Sequence, residues 1–531
     1  MIGINDSGGP QAFIVGAGIA GLATAAYLIR DGCMAGNDIH VMEETRHAGG
    51  SLDAHGTADH GYVMRGGRMF DEQAYACTFD LMSIIPSLSD PRKTVKQEFF
   101  DFNETFRSHA RSRLVSDGLA VDVSSPGFAH RDRLDLIELM LKSETSVGSR
   151  RIDDCFQPSF FKTNFWFMWC TTFAFQPWHS AVEFRRYMLR FIQEFPDIDT
   201  LSGVRRTPYN QFDSLVRPLI QWLLAQGVDM QSGVQVVDIE FTATGHGCTQ
   251  ATQFTCMKDG TSHVHRVCEN DKLFITLGSM TAGSSLGTMT SPARAAGAPS
   301  DGSWALWRTI SKDRPDFGHP EVFDSHVDQS LWQSFTLTLH DPLFFRRMKE
   351  FTGNEAGTGG LVTFKDSNWL MSIVLPHQPH FLKQPEDVYV CWGYGLFPQT
   401  PGNFVKKKMS ECSGEEILIE LFSHLHFDDQ EAQLLKAANC IPCMMPLVTS
   451  QFLVRSPGDR PAVVPQGAAN FAFLGQYCEI ADDVVFTVEY SVRSAQMAVV
   501  QLLRLDCEVS PIYKGHHDPG VLLRAVKAVL R

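Results

Sequence analysis

The sequence predicts an α/β fold with a discontinuous Rossmann-like domain, a second domain of mixed β-sheet and helices, and a helical C-terminal tail. Three observations support this prediction. A short apolar strand at residues 13–16 runs into a glycine-rich turn and a helix. Strand-like segments return late in the chain, at 233–241, 272–277 and 471–475. Residues 330–396 alternate apolar strands with turns, which is typical of a mostly antiparallel sheet.

Size and composition indicate a globular protein of several domains. The chain has 531 residues, of which 44% are hydrophobic and 20% charged, and this excludes disordered and fibrous proteins. The formal charge of −14 provides no general attraction to nucleic acid. Thirteen cysteines are too sparse for a disulfide scaffold and favour a reduced compartment. The amino terminus has no secretory pattern, and residues 13–29 are interrupted by glycines, so we expect a cytoplasmic protein.

The glycine-rich turn has the spacing of a dinucleotide-binding motif. Gly16, Gly18 and Gly21 follow the strand, and Leu22 opens the apolar face of a helix. In such a turn one glycine makes the bend, one lets the backbone approach a pyrophosphate, and one allows close helix–sheet packing. The phosphates would lie at the helix amino terminus, where free N–H groups favour negative charge.

The residues after this turn indicate which dinucleotide is bound. A second strand, 39–42, ends in Glu43, whose carboxylate is placed to accept hydrogen bonds from a ribose diol. Gly50 and Ser51 follow soon after. The string from Gly16 to Gly50 resembles the extended fingerprint of flavin enzymes in the amine oxidase and desaturase superfamily. We therefore expect FAD rather than NAD.

The middle and the end of the chain contain further helices. Segments 133–142, 181–194 and 487–503 have helical patterns, whereas 286–303 is rich in Gly, Ala, Ser and Pro and is interpreted as a loop. The tail, 521–531, is a basic amphipathic helix. It is compatible with two interpretations, a helix in a membrane interface or a helix docked on its own protein.

Two further segments point beyond a generic nucleotide-binding protein. Arg65 and Arg68 flank a Gly-Gly pair, where the backbone could approach a planar anion; both arginines could equally be buried ion-pair partners. Residues 164–190 contain five Phe and three Trp, which fits a core or a long apolar pocket.

Taken together, the motifs resemble the oleate hydratase family, also called myosin-cross-reactive antigens, from about residue 12 to 505. The matching segments are GAGIAGLATAAYL, HAGGSLDAHG, RGGR followed by IPSL, NFWFMW, TTFAFQPWHSAVEFRRYM, YNQFDSL, LVTFKDSNWL, QPHF, YGLF, TPG, NFAFLGQYCEI and DDVVFTVEYSVRSAQ. The resemblance implies a redox-neutral hydro-lyase that requires FAD. It would add water to the cis-9 double bond of unsaturated fatty acids and convert oleate to 10-hydroxystearate.

The resemblance also implies the catalytic residues. The family's tyrosine near the double bond matches Tyr187, and Arg68 lies in the family's arginine–glycine motif. The position where many members carry a water-activating glutamate is Met69, which can neither accept nor donate a proton usefully. Asp71 or Glu72 could replace it, or the flavin edge and the backbone could hold the water.

The resemblance assigns substrate carboxylate binding to Gln211 and His380. Some members place threonine and asparagine before this histidine, and the matching positions here are Val374 and Pro376. Anchoring of the carboxylate is therefore expected to depend on Gln211, His380 and the nearby His377.

The expected cofactor-binding residues combine the glycine motif with residues that the resemblance adds. They are Gly16, Ala17, Gly18, Gly21, Glu43, Gly50, Ser51, Arg65, Gly67, Val236, Ser279, Thr487 and Ser491. No metal site is expected.

The predicted domain boundaries follow from these assignments. The FAD-binding domain comprises residues 1–120, 205–285 and 465–505; the substrate-binding domain comprises 121–204 and 286–464; and the tail comprises 506–531.

Two other functions share the same fingerprint. A flavin-dependent lipid desaturase or isomerase would need the same cofactor, and a catalytically silent flavin- or lipid-binding protein would fit Met69. An unsaturated fatty acid such as oleate is the expected partner, nucleic acid is not, and the tail offers peripheral membrane contact. The oligomeric state is left open between monomer and homodimer.

Overall fold

The computed structural model of the protein describes residues 9–244, 247–294, 302–427 and 429–530. The strands are β1 Ala12–Val15, β2 Ile39–Glu43, β3 Ala54–Thr57, β4 Gly61–Met64, β5 Leu114–Ser116, β6 Leu119–Ala120, β7 Asp229–Ser232, β8 Val234–Thr244, β9 Cys248–Lys258, β10 Thr261–Arg266, β11 Lys272–Thr276, β12 Ser285–Leu286, β13 Trp332–Leu339, β14 Leu361–Phe364, β15 Met371–Val374, β16 Tyr389–Gly395, β17 Ala438–Met445 and β18 Phe471–Leu474. The α-helices are α1 Ile19–Arg30, α2 Ala76–Met82, α3 Val95–Thr105, α4 His130–Leu141, α5 Glu144–Val147, α6 Asn164–Phe173, α7 Ala181–Arg190, α8 Arg217–Ala225, α9 Gly302–Ser311, α10 Glu321–Asp324, α11 Val327–Ser330, α12 Leu343–Thr352, α13 Gly414–Leu425, α14 Glu431–Ala437, α15 Val488–Leu503 and α16 Pro519–Leu530.

A parallel sheet with strand order β18–β11–β1–β2–β7 forms the nucleotide-binding side of the molecule. Val15 in β1 lies opposite Ile275 in β11 and Met42 in β2, so the carboxyl ends of these strands share one edge. Helices α1 and α15 pack against each other beside it. The α/β class and the strands predicted at 272–277 and 471–475 are confirmed. The segment predicted at 233–241 is also a strand, β8, in a separate antiparallel sheet with β9 and β10.

A second sheet has the strand order β12–β17–β13–β16–β15–β14–β5–β6. Its pairings are antiparallel except between β14 and β5, which confirms the mostly antiparallel sheet predicted at 330–396. Every residue of β13 is buried, since other elements cover both faces of the sheet. Strands β5 and β6, which the predicted boundary at residue 120 places in the first domain, pair with this second sheet.

The predicted helices are present with altered ends. Helix α4 covers the pattern at 133–142, and α15 begins just after its N-cap Thr487. The helix predicted at 181–194 is shorter in the structure, where α7 ends at Arg190. A 3-10 helix, Ile192–Asp197, follows it and contains Pro196.

Two predictions concern segments that are only partly described. Within the predicted loop 286–303, residues 295–301 lie outside the described residues, and Gly302 already begins α9. Residues 1–8, on which the expectation about the amino terminus rests, also lie outside them. The tail forms α16, and in the described part of the chain no helix is long and apolar enough to cross a bilayer.

Candidate active site

A cleft of about 1210 Å³ opens at the carboxyl edge of the parallel sheet. Such an edge, where neighbouring strands lead into loops, is the usual ligand position in a doubly wound α/β fold. Many residues expected to bind the cofactor line this cleft: Gly16, Gly18, Glu43, Gly50, Ser51, Arg65, Val236, Ser279 and Ser491. Residues far apart in the sequence are therefore brought together here.

The three glycines of the first motif have different surroundings. Gly16 has a φ of +96°, which other residues rarely adopt. A Cβ on Gly21 would lie 2.0 Å from the carbonyl oxygen of Gly16, so a side chain there would collide with the backbone. A Cβ on Gly18 would meet nothing within 4 Å, because it would point into the cleft. Gly16 and Gly21 are therefore required by the fold, whereas Gly18 leaves space for a ligand.

Glu43 holds the wall of the cleft together. Its carboxylate accepts hydrogen bonds from the backbone N–H of Ala17 at 2.8 Å and from the backbone N–H of Thr45 at 2.9 Å. Ala17 does not itself line the cleft; it contributes this N–H. The acid at the end of β2 thus lies beside the amino terminus of α1.

The cleft offers further polar groups to a dinucleotide. The first turn of α1 contains no acidic residue, so its free N–H groups favour an anion. The hydroxyl oxygen of Thr276, at the end of β11, is buried without a hydrogen-bond partner and also faces the cleft. Open space at Gly18, a helix amino terminus and an unpaired hydroxyl fit an adenine–flavin dinucleotide.

The amino terminus of α15 separates this cleft from a second cavity. Ser491 lines the cleft, whereas Thr487, one turn earlier, lines the second cavity. Gly67 lines the second cavity as well and not the cleft. Arg65 lines the cleft but pairs with Asp53 at 2.6 Å, so it is an ion-pair partner.

The second cavity encloses about 990 Å³ and is mainly apolar. It lies between α6, α7 and the second sheet. Its apolar lining comprises Met69, Phe70, Phe173, Ala174, Phe191, Ile198, Leu201, Val204, Trp332, Leu361, Val374, Trp392 and Phe486. A wall of this kind suits a long hydrocarbon chain.

Tyr187 lies on α7 and faces this cavity. Its hydroxyl donates to the carbonyl oxygen of Val485 at 2.6 Å, and burial raises its pKa well above the usual value, so the phenol is protonated at neutral pH. Buried ion pairs hold the helix on either side: Arg186 pairs with Glu144 at 2.7 Å and Arg190 with Asp483 at 3.2 Å. The charged residues around this tyrosine therefore fix its position.

Arg68 lies between the two spaces. One of its nitrogens donates weakly to the carbonyl oxygen of Ser51 at 3.4 Å, and the guanidinium lies 5.5 Å from the ring centre of Phe486. Among the described residues no carboxylate lies within ion-pair distance of it, and burial lowers its pKa. Of the two interpretations open for the flanking arginines, Arg68 therefore does not fit the buried ion pair.

The acids near Met69 are placed differently from one another. Met69 and Asp71 both line the apolar cavity, whereas Glu72 is exposed and does not. Asp71 accepts hydrogen bonds from the backbone N–H groups of Gln73 and Ala74, at 2.9 and 2.6 Å, and from the side chain of Gln193 at 3.1 Å.

Glu194, which sequence reasoning missed, lies on the same wall. Burial, the charge of Asp71 and a hydrogen bond with Asp71 together raise the pKa of Glu194 to about 8. Glu194 therefore keeps its proton at neutral pH. An acid within the apolar segment FIQEFPD was the available sequence signal.

A smaller polar pocket of about 430 Å³ adjoins the apolar cavity, and both are lined by Gly67, Arg68, Arg206, Val374 and Trp392. Its own lining includes Gln211, His377 and His380, so the three expected carboxylate-binding residues are brought together. Val374 and Pro376 are also present. Arg206, again missed from the sequence, belongs to both spaces.

One family model and two known proteins match nearly the whole chain. A family model described as the MCRA family matches residues 9–500. An oleate hydratase of Streptococcus pyogenes serotype M49 (strain NZ131) is 38% identical over 529 residues, covering 97% of this chain and 89% of that protein. A linoleate hydratase of Lactiplantibacillus plantarum is 33% identical over 565 residues, covering 97% of this chain and 98% of that protein.

Solved structures share the fold at much lower identity. Cyclohexylamine oxidase from Brevibacterium oxydans IH-35A has a TM-score of 0.51 and 12% identity, covering 93% of this chain and 99% of its own. A triple mutant of putrescine oxidase has a TM-score of 0.50 and 11% identity over 93% of this chain and 99% of its own. At such identity the likeness concerns the architecture alone.

Proposed function

The chain belongs to the MCRA family, and from this premise we propose that it is an FAD-dependent hydratase of unsaturated fatty acids. It adds water to the cis-9 double bond of oleate and gives 10-hydroxystearate, without net oxidation or reduction. The names of two relatives, an oleate hydratase and a linoleate hydratase that match 97% of this chain, support the proposal. As a hydro-lyase it needs a bound fatty acid, a proton donor and a placed water.

The observation that carries the proposal is an apolar cavity joined to a polar pocket, both next to the nucleotide cleft. A fatty acid has an apolar chain and an anionic head, so it needs one region of each kind. Phe173, Phe191 and Trp332 line the chain region, and Gln211 and His380 line the head region. Binding energy from both ends can hold the double bond against the catalytic groups.

FAD is the proposed cofactor, and the residues of the cleft fit it. Glu43 would bind the ribose, the amino terminus of α1 the pyrophosphate, and Ser491 with Thr487 the flavin end. When bound, FAD would supply electrostatic stabilisation to the reaction, with no hydride transferred in the net reaction.

The hydration chemistry can be assigned to residues of the cavity wall. An isolated alkene is a weak base, so its protonation builds positive charge that a dry cavity must stabilise. Tyr187 donates the proton to one alkene carbon, and Arg68 lies near enough to this tyrosine to lower the cost of its transient negative charge.

We assign water activation to Asp71 and Glu194 instead of Glu72. Asp71 lines the cavity beside Met69, while the exposed Glu72 does not reach it. Asp71 can accept a proton from water as the hydroxyl adds to the second carbon, while the neighbouring Glu194 keeps its own proton. The pair thereby takes the place of the family glutamate.

The alternative function is a flavin-dependent lipid desaturase or isomerase. It would use the same cleft and cavity, and the oxidases that share the architecture leave it open. The two functions differ in the product. A hydratase product is heavier than the substrate by one water, whereas a desaturase product is lighter by two hydrogens and an isomerase product has the same mass.

The deciding experiment incubates the purified protein with FAD, dithionite and oleate and analyses the products by mass spectrometry. We expect a hydroxylated product with no electron acceptor consumed. Unchanged oleate that is nevertheless bound would favour a silent lipid-binding protein, and a product two hydrogens lighter would favour the desaturase.

We also propose the membrane contact and the discontinuous first domain stated for the sequence, except that β5 and β6 belong to the second domain, because they pair with its sheet. The parallel sheet takes strands only from segments assigned to the first domain, which supports its discontinuity. On the tail, Val521 and Ala525 of α16 are buried against the protein, while Leu523, Val526 and Leu530 are exposed. The docked helix therefore presents an apolar face for peripheral contact with a membrane.

A further inference from the structure

We propose that Arg206 is the cation that binds the substrate carboxylate, and that the site selects free fatty acid anions over neutral lipids of the same chain. This inference rests on the proposed function, since it concerns the head region of the same cavity. It adds a charged residue to a set, Gln211, His380 and His377, that contributes hydrogen bonds.

The first step concerns the unmet hydrogen-bonding capacity of Arg206. Its Nε and one terminal nitrogen are buried without a hydrogen-bond partner. Among the described residues it has no ion pair, and no acidic side chain lines the polar pocket. A buried guanidinium without a counter-charge costs folding free energy, and an anionic ligand would remove that cost.

The second step concerns the neighbouring histidine. His380 is 5% exposed, and both of its ring nitrogens lack a partner, although its backbone is fixed by hydrogen bonds to Gln384 and Asn210. Burial lowers the pKa of His380 to about 3, so the ring is neutral at pH 7. Gln211 is neutral as well. Hydrogen bonds are available from both residues, but the positive charge must come from an arginine.

The third step distinguishes Arg206 from Arg68. Arg68 contacts Ser51 and Phe486, on the side of the nucleotide cleft. Arg206 is held from the other side, because its backbone N–H donates to the side chain of Asn103 at 2.9 Å and its carbonyl accepts from the same side chain at 2.8 Å. Burial lowers the pKa of Arg206 to about 10, so it remains charged at neutral pH.

The fourth step concerns what this chain lacks. Val374 and Pro376 stand where the resemblance places threonine and asparagine, and neither side chain can donate a hydrogen bond. Both line the polar pocket with Arg206. A planar guanidinium can donate two parallel hydrogen bonds to one carboxylate and so replaces two neutral donors.

The test compares binding of oleate and oleyl alcohol, two ligands with the same chain and different heads, to the wild-type holoprotein and to Arg206→Met. Quenching of tryptophan fluorescence is a suitable readout, since Trp332 and Trp392 line the cavity. We expect Arg206→Met to raise the dissociation constant of oleate by about tenfold to a hundredfold and to leave that of oleyl alcohol within about threefold. Arg206→Lys should restore part of the loss.

Arg205→Met is the matched control. Arg205 is the adjacent residue, its side chain donates to the backbone oxygens of Ser202 and Gly203, and it lines neither cavity. The Arg205→Met variant should bind oleate and oleyl alcohol with the dissociation constants of the wild type. Equal losses for oleate and oleyl alcohol in Arg206→Met, or no loss for either, would overturn the proposal.

Two further measurements keep the inference separate from folding and from the proposed activity. The wild type alone must bind oleate at least about tenfold more tightly than oleyl alcohol, and equal affinities would overturn the inference even if Arg206→Met failed to fold. Turnover is measured on the same wild-type samples. If oleate binds in a manner that depends on Arg206 but is not hydrated, the proposed function is contradicted, whereas the role of Arg206 in binding the carboxylate is retained.

Discussion

Single residues on the wall of the apolar cavity lie in surroundings that change their affinity for protons. Tyr187 stays protonated because its phenol is fully buried. Glu194 stays protonated because burial and the neighbouring Asp71 both disfavour its anion. His380 stays neutral because its ring is desolvated. The reaction needs groups in a defined protonation state on a dry wall, and these residues meet that requirement by their environment rather than by their type.

Replacing Tyr187 by Phe tests the proton donor. The change removes the hydroxyl that contacts Val485 and keeps the ring packed against Phe173 and Phe191. We expect kcat to fall by about 10²- to 10⁴-fold while flavin stays bound, because general acid catalysis is lost. Steady-state kinetics and the flavin absorbance spectrum are the measurements.

Tyr27→Phe is the control for this prediction. Its hydroxyl also donates to a backbone oxygen, that of Cys77 at 3.0 Å, but Tyr27 lies on α1 and lines neither cavity. It should lower stability by only about 1 kcal/mol and leave kcat unchanged. Wild-type kcat in Tyr187→Phe would remove this tyrosine from the mechanism.

Glu194→Gln tests the raised pKa of Glu194 through the pH dependence of stability. The folded-state pKa of about 8 lies above the usual value of 4.5, so the folded state binds this proton more tightly than the unfolded state. The contribution of Glu194 is then fully favourable below about pH 4.5 and is lost as pH rises toward 8, at up to about 1.4 kcal/mol per pH unit. The facing charges of Asp71, Asp197 and Arg205 remain in the variant.

Unfolding by urea between pH 5 and 8 measures this effect. The free energy of unfolding of the wild type should decline relative to that of Glu194→Gln as pH rises. Parallel curves for the two proteins would show that Glu194 titrates normally and does not keep its proton at neutral pH.

At the scale of elements, the turn from β1 to α1 and the start of α15 carry the nucleotide site. The carboxyl ends of β1, β2 and β11 bring Gly16, Glu43 and Thr276 to one edge of the parallel sheet. Helix α15 begins between the cleft and the apolar cavity, so its first turn contacts both. The proposed cofactor site and the proposed substrate site therefore share one helix end.

Gly18→Ala and Gly21→Ala separate ligand binding from folding within this turn. A Cβ at position 18 meets no protein atom within 4 Å and would enter the cleft, so we expect weaker FAD binding with apoprotein stability changed by no more than about 1 kcal/mol. A Cβ at position 21 would lie 2.0 Å from a backbone oxygen, so that variant should unfold at lower temperature.

Titration with FAD and thermal melting of the apoproteins distinguish the two effects. If FAD approaches the backbone at Gly18, Gly18→Ala should bind FAD more weakly while its apoprotein melts at nearly the wild-type temperature. FAD affinity equal to that of the wild type would mean that the cofactor does not approach the chain at Gly18.

At the scale of the whole molecule, the helical tail lies next to α4, and both helices have exposed apolar side chains. Arg133 of α4 donates to the carbonyl oxygen of Val529 in α16 at 2.9 Å, so the two helices are neighbours. Leu134, Ile137 and Leu141 are exposed on α4. Exposed apolar side chains on neighbouring helices suit the interface of a membrane, and we expect the two helices to bind there.

The double variant Leu523→Gln/Val526→Gln tests this surface. Both side chains are at least half exposed, at 57% and 50%, so the fold should be retained. We expect co-sedimentation with anionic phosphatidylglycerol vesicles to fall several-fold, because apolar area is lost from the interface. Leu224→Gln, which changes a leucine that is 53% exposed on α8, is the control. Equal sedimentation of all three proteins would favour a tail that is only docked.

The sequence by itself determined the nucleotide motif, the α/β class and the family, because each depends on local spacing or on long matching segments. Glycines at fixed intervals, an acid after a strand and a tyrosine in RRY are visible without coordinates. The tertiary structure decided which charged groups meet. Asp71 and Glu194, or Arg206 and His380, are distant in the chain, and only the packing of α7 and the loops on the second sheet makes them neighbours. Packing also decides what each group does. Burial without a partner, which no sequence pattern records, keeps the proton on the carboxyl of Glu194 and leaves Arg206 without a counter-charge.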